Sequence, residues 1–195
     1  MNNNKFYIIG LDIETSSKDA YLGEIIQIGV AYRENNKINI REYNLFFELT
    51  NWNDKNWSMD AEIIHKITKE SLALNKYTYD SAEKEIIKLL DKTFGENSII
   101  IPAGFNVGSF DLQFIKNKMP NLYNRLSYRS IDLNSLFLFN NLKNYDYNEF
   151  ISMKKNTKLD IIKDINESNE HNASFDAKLA LLILEKLEKQ FFELR

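Results

Sequence analysis

The chain has 195 residues, a formal net charge of -3, no cysteine and only two histidines, His65 and His171. Disulfides, thiolate metal sites, cysteine nucleophiles and a three-histidine zinc centre are thereby excluded. Hydrophobic residues at 44% and charged residues at 27% suit a single packed domain over 1–195 and argue against disorder.

Residues 6–13, FYIIGLDI, are an apolar run of strand length, and Ile26, Ile28, Val30 and Tyr32 alternate along a second strand. Asn35 and Asn36 predict a hairpin turn, because Asn tolerates positive φ. A third strand follows over 37–47, so the chain opens as an antiparallel meander. Ala61, Ile64 and Ile67 predict a short helix, and Ala82, Ile86, Leu89 and Leu90 a longer one. Residues 99–102 read as a buried strand, followed by a glycine-containing turn at 104–108. Ser109 is positioned to cap the next helix, on which Phe110 and Phe114 pair at one-turn spacing.

A further short strand is expected over 130–133. The stretch 140–170 has the weakest pattern, although Leu159, Ile162 and Ile165 predict a helix inside it. The last helix carries Phe175, Leu179, Leu182, Ile183 and Leu187 on one stripe, interrupted by Lys186. Three strands, then strands alternating with helices, make an α/β fold with a mixed sheet. No apolar run approaches the roughly 20 residues of a membrane helix. The amino terminus also lacks a signal-like segment, so a soluble cytoplasmic protein without a membrane partner is expected.

With so few histidines, any metal must rest mainly on carboxylates, which favours hard ions such as Mg²⁺ or Mn²⁺. Asp12 and Glu14 are two apart at the end of the first strand and share one of its faces. Two solvated acids at a strand end would look the same. Asp111 and Asp176 each open a helix, where the helix dipole alone accounts for an acid. His171 precedes Asp176 by five positions. The negative net charge means that affinity for a polyanion must come from bound cations or local basic patches.

Taken in order, these residues resemble the DEDD exonuclease superfamily in its histidine-containing subgroup. Gly10-Leu11-Asp12-Ile13-Glu14-Thr15 matches the first motif, Phe105-Asn106-Val107-Gly108-Ser109-Phe110-Asp111 the second, and His171 to Asp176 the third. Glu24-Ile25-Ile26-Gln27-Ile28-Gly29, Ile64-His65-Lys66-Ile67-Thr68 and Ile131-Asp132-Leu133 extend the likeness along the chain. Two departures concern the handling of substrate. Phe105-Asn106 stands where many relatives have His-Asn, and Thr15-Ser16-Ser17 replaces Thr-Thr-Gly.

The resemblance implies a single RNase H-like domain with a mixed five-stranded sheet flanked by helices. It implies a 3′–5′ exonuclease that hydrolyses phosphodiester bonds at single-stranded or frayed 3′ ends of nucleic acid and releases nucleoside 5′-monophosphates. Asp12, Glu14, Asp111 and Asp176 would hold two Mg²⁺ or Mn²⁺ ions, with His171 as general base. Thr15, Asn106 and His65 are the implied substrate-binding residues; His65 is equally explained as a structural helix residue. Asp132 reads best as a helix cap, and Phe110 as a core residue. Lys154, Lys155 and Lys158, near Tyr145, Tyr147 and Phe150, would form a basic and aromatic rim for a strand, or simply a solvated face. An RNase H-like endonuclease with the same acids and a non-catalytic nucleic-acid-binding or interaction module are the competing readings.

Overall fold

The structure is a computed structural model and describes residues 5–35, 37–45, 53, 55–140, 146–165 and 171–193; for 140 and 191–193 it describes the backbone alone. Strands β1 (Phe6–Thr15), β2 (Ile25–Glu34) and β3 (Lys37–Asn44) form the expected meander, with β1–β2 and β2–β3 antiparallel. Asn35 turns the second hairpin at φ 50°, the left-handed conformation that Asn accepts. Asn36 and the expected end of the third strand at 46–47 lie outside the described residues.

β4 (Ile99–Gly104) and the two-residue β5 (Ile131–Asp132) then add in parallel, giving the order β3-β2-β1-β4-β5. β5 is shorter than its sequence suggests, because Leu133 already begins a helix.

The two faces of β1 have different roles. Ile9, Leu11 and Ile13 point into a core shared with α3 (Tyr79–Phe94), α4 (Asp111–Lys118) and α5 (Pro120–Arg125). Its other face carries Ile8, Gly10, Asp12 and Glu14, and α8 (Ala173–Glu193) lies directly on it. A Cβ on Gly10 would stand 2.0 Å from the Ala177 carbonyl oxygen, and one on Gly29 the same distance from that of Ala173. These two glycines let the helix backbone approach the sheet backbone. The start of α8 is thereby set beside the end of β1 that bears the two acids.

α6 (Leu133–Asn140) and α7 (Tyr147–Ile165) pack with α8 around Phe137, Phe150, Leu179 and Ile183. α1 (Met59–His65) and α2 (Lys69–Leu72) are short, each opened by a hydroxyl cap from Ser58 or Thr68. No helix among the described residues is long and apolar enough to cross a membrane.

Several local expectations give way. Ile67 is not part of α1, which ends at Lys66 in the left-handed conformation, and Ile64 is half-exposed instead of facing a core. Ser109 does not cap α4. Phe110 occupies the cap position without a side-chain bond, and Ser109 Oγ donates to the Asn106 carbonyl instead. On α7, which is longer than expected, Ile161 is buried and Leu159 is partly exposed.

Candidate active site

β1 delivers Asp12 and Glu14 half-buried on the α8 face. Asp111, in the first turn of α4, turns its carboxylate toward the sheet. It is only 2% exposed, and its Oδ1 accepts the Ile13 backbone N–H at 3.1 Å. Asp111 is therefore tied to the strand of the two β1 acids, at the residue between them. Asp176, in the first turn of α8, accepts the His171 backbone N–H at Oδ2, 2.9 Å. His171 is exposed and left-handed, φ 64°, so its loop doubles back over the helix start.

These placements bring the four carboxylates and His171 into one cluster. Ligand atoms of Glu14, His171 and Asp176 lie within 4.8 Å of one another. Burial, then the charges of Asp111, Asp176 and Glu14, raise the Asp12 carboxyl well above its ordinary range, partly offset by the Lys158 ammonium. Burial with Asp176 and Asp111 pushes Glu14 up to about 8. Asp111 also rises to about 8, by burial and the Asp132 charge, against the lowering effect of its backbone hydrogen bonds. Acids in this state hold protons near neutrality unless positive charge enters. An all-oxygen set with one imidazole fits a hard divalent cation.

The third-motif loop is held from the sheet. Asn172 caps α8, its Oδ1 accepting the Phe175 N–H. Glu42 Oε2, from edge strand β3, accepts Asn172 Nδ2 at 2.7 Å and Ser174 Oγ at 2.9 Å. Gln27 Oε1 accepts the Ala173 N–H at 2.7 Å, while Gln27 Nε2 donates to Asn44. Sequence reasoning missed this network. A buried glutamine in an apolar strand was its one visible sign, while an acid on an edge strand is too common to attract notice.

His65 is buried, with Nδ1 accepting the Ile67 N–H at 3.0 Å. That leaves the proton on Nε2, which is buried near the Thr15 backbone and, among the described residues, lacks a hydrogen bond of full geometry. Burial lowers its basicity. His65 lines a cavity of about 190 Å³ with Ile13, Glu14, Thr15, Ile64 and Phe110. Phe110 thus borders this cavity while packing against Phe114, ring centroids 5.1 Å apart and planes tilted by 52°.

Thr15 reaches the same cavity, although its hydroxyl donates to the Ser17 carbonyl. Asn106 is exposed in the turn before Asp111, φ 58°, and its Oδ1 accepts Asn134 Nδ2 at 2.8 Å. Asp132 accepts the Asn134 N–H and caps the start of α6, as its sequence position suggests.

The expected rim is regrouped. Lys154 and Lys158 lie over the Phe105 ring, Lys155 is exposed, and Phe150 belongs to the core. Tyr147 is exposed beside Phe150, and Tyr145 lies outside the described residues.

No protein-family profile matches the sequence, and no curated protein matches it either. Solved structures do. E. coli exonuclease I in complex with a dT13 oligonucleotide aligns over 97% of this chain and 43% of its own, with 15% identity and a TM-score of 0.65. A product-bound exonuclease I aligns over 95% and 44%, with 14% identity and a TM-score of 0.64. Exonuclease I from Methylocaldum szegediense aligns over 68% and 29%, with 14% identity and a TM-score of 0.52. This chain spans less than half the length of these structures. At such identity the likeness is one of fold: a mixed five-stranded sheet flanked by helices, in the RNase H-like arrangement of the exonucleases.

Proposed function

We propose that this chain is a metal-dependent 3′–5′ exonuclease of the histidine DEDD subgroup, forming one catalytic domain over 1–195. The convergence of Asp12, Glu14, Asp111 and Asp176 with His171 at the end of β1 carries this reading. Asp12, Glu14, Asp111 and Asp176 would hold two Mg²⁺ or Mn²⁺ ions, which supply charge stabilisation for the attacking and leaving oxygens of an in-line displacement. His171 takes a proton from the attacking water, and the contact between its main-chain N–H and Asp176 keeps the ring's loop at the cluster. The cavity lined by His65 and Thr15 receives the terminal nucleoside, and the exposed Asn106, in the turn before Asp111, borders the strand. Binding of a single strand is in keeping with the dT13 oligonucleotide held by the E. coli protein of the same fold.

The test uses 5′-labelled DNA and RNA oligomers with Mg²⁺ or Mn²⁺. A ladder descending from the 3′ end is expected, slowed by a blocked 3′ terminus. His171→Ala should lose roughly 10²–10⁴-fold in rate, the usual worth of a general base, while still binding Mn²⁺. Release of 5′-terminal nucleotides first, or wild-type rates in His171→Ala, overturns the assignment.

A further inference from the structure

Beside the carboxylate cluster, α7 presents two lysines one turn apart toward a single aromatic ring. Lys154 Nζ lies 4.6 Å and Lys158 Nζ 4.4 Å from the Phe105 ring centroid. Both residues are half-buried. Among the described residues, neither ammonium forms an ion pair with a carboxylate. Two like charges held against one ring repel each other, and the ring's quadrupole, with the more distant charges of Asp12 and Asp132, offsets this only in part.

The pair is also held in place. Lys154 Nζ donates to Asn134 Oδ1 at 2.8 Å, and Asn134 Nδ2 donates to Asn106 Oδ1 at 2.8 Å, in the turn leading to Asp111. Phe105 itself runs parallel to Phe137, 4° between the planes, and Phe137 is fully buried. Lys158 is close enough to Asp12 for its charge to act on that carboxyl. Burial and the Lys158 charge also push the Lys154 ammonium below its ordinary range, against the raising effect of the Asp132 charge, so an anion between the two lysines would be favoured.

We propose that Lys154 and Lys158, seated on Phe105, are a binding site for a backbone phosphodiester of the nucleic-acid strand whose end enters the carboxylate cluster. The site rests on the exonuclease reading and adds to it the group that grips the strand outside the cluster. A phosphodiester between the two ammonium groups would neutralise their repulsion without displacing the Phe105 contacts. Phosphate recognition of this kind is indifferent to base identity, so DNA and RNA backbones should be held alike.

Fluorescence anisotropy of a 5′-fluorescein dT13 oligomer and its rU counterpart, in Ca²⁺ over a KCl series, tests the proposal on the whole chain. Replacing both lysines by Ala should flatten the slope of log affinity against log salt by about 0.7, the single-strand value for one phosphate contact, and each single replacement should flatten it by part of that. Affinity at low salt should fall several-fold with it. Lys158→Arg should retain most of the slope, and Lys155→Ala, on the exposed side of α7, should retain all of it. Methylphosphonate substitution, one phosphate at a time, should find a position at which Lys158→Ala causes no further loss. Unchanged slope and affinity in Lys154→Ala and Lys158→Ala overturns the site, as does a wild-type chain that binds neither oligomer. Lysine-dependent binding without Mg²⁺- or Mn²⁺-supported cleavage would leave the phosphate site standing and remove the exonuclease reading instead. Cleavage with lysine-independent binding would do the reverse.

Discussion

Asp111 joins two requirements at one residue. Its carboxylate belongs to the acidic cluster, and it also satisfies a buried backbone donor of β1, the Ile13 N–H. The helix dipole, which by itself accounts for an acid at this position, is therefore only part of its structural role. Asp111→Ala would leave that N–H unpaired, at about 1–3 kcal/mol. Asp111→Asn retains an acceptor and removes the charge, so it should lose cleavage and Mn²⁺ binding while melting no lower than wild type in chelator. A wild-type rate in Asp111→Asn sinks its place in the cluster.

The same residue gives a pH dependence. Asp111 and Glu14 titrate near 8 in the fold, against ordinary values near 4, so the folded protein retains protons that the unfolded chain releases in between. Metal-free stability should be fullest below about pH 4 on account of these groups and decline as pH climbs toward 8. Melting curves in chelator should follow that decline, by about 2–4 °C for each kcal/mol. Mn²⁺ should reverse it at high pH, and Asp111→Asn should flatten it. A melting temperature that rises from pH 5 to 8 in chelator, equally in wild type and variant, would contradict this account.

Elements show where local rules suffice and where they do not. The alternation of β1 is enough to put Asp12 and Glu14 on one face, because a strand has no other way to arrange residues two apart. The start of α8 is legible too, since Asn172 caps as its residue type suggests. Ser109 misleads because a neighbouring turn competes for it: the chain enters α4 through a left-handed Asn106, and that turn takes up the Ser109 hydroxyl. The Glu42 contacts were invisible because they join β3 to the start of α8 over 130 and 132 positions.

Those contacts predict a positioning effect. Glu42 is not one of the clustered acids, but it fixes the two residues between His171 and Asp176 that bear polar side chains. Glu42→Ala should lower kcat with KM little changed, by on the order of tenfold if the loop's misplacement costs about 1.4 kcal/mol. Glu42→Gln, which retains one acceptor, should recover part of that loss. Single-turnover rates and melting curves for both variants separate misplacement from unfolding; a wild-type kcat in Glu42→Ala rejects the role.

At the scale of the whole molecule, the order β3-β2-β1-β4-β5 places the acids where an antiparallel meander meets parallel strands, beside the first turns of α4 and α8. The alternation of strands and helices made this arrangement readable. The long α7 was not, because its apolar positions are sparse and its order comes from α6 and α8. Two features around the cluster differ in kind. One is a small cavity of about 190 Å³, bounded by His65, Ile64 and Phe110 and reached by Glu14. The other is the pair of lysines over Phe105.

A cavity of that size suits the last nucleoside of a strand, whereas cutting within a strand requires room for chain on both sides of the cluster. Linear single strands should therefore be shortened stepwise, and a closed single-stranded circle of the same sequence should remain intact under the same Mg²⁺ or Mn²⁺ conditions. Opening the circle with one cut should restore digestion. Prompt linearisation of the circle, at a rate matching loss of the linear strand, would replace end trimming with internal cleavage by the same acids. Filling the cavity sharpens the comparison. Ile64 is half-exposed at its edge, so Ile64→Trp should leave the fold intact and slow trimming of linear strands by raising KM. A cluster that cuts internally would be indifferent to that change.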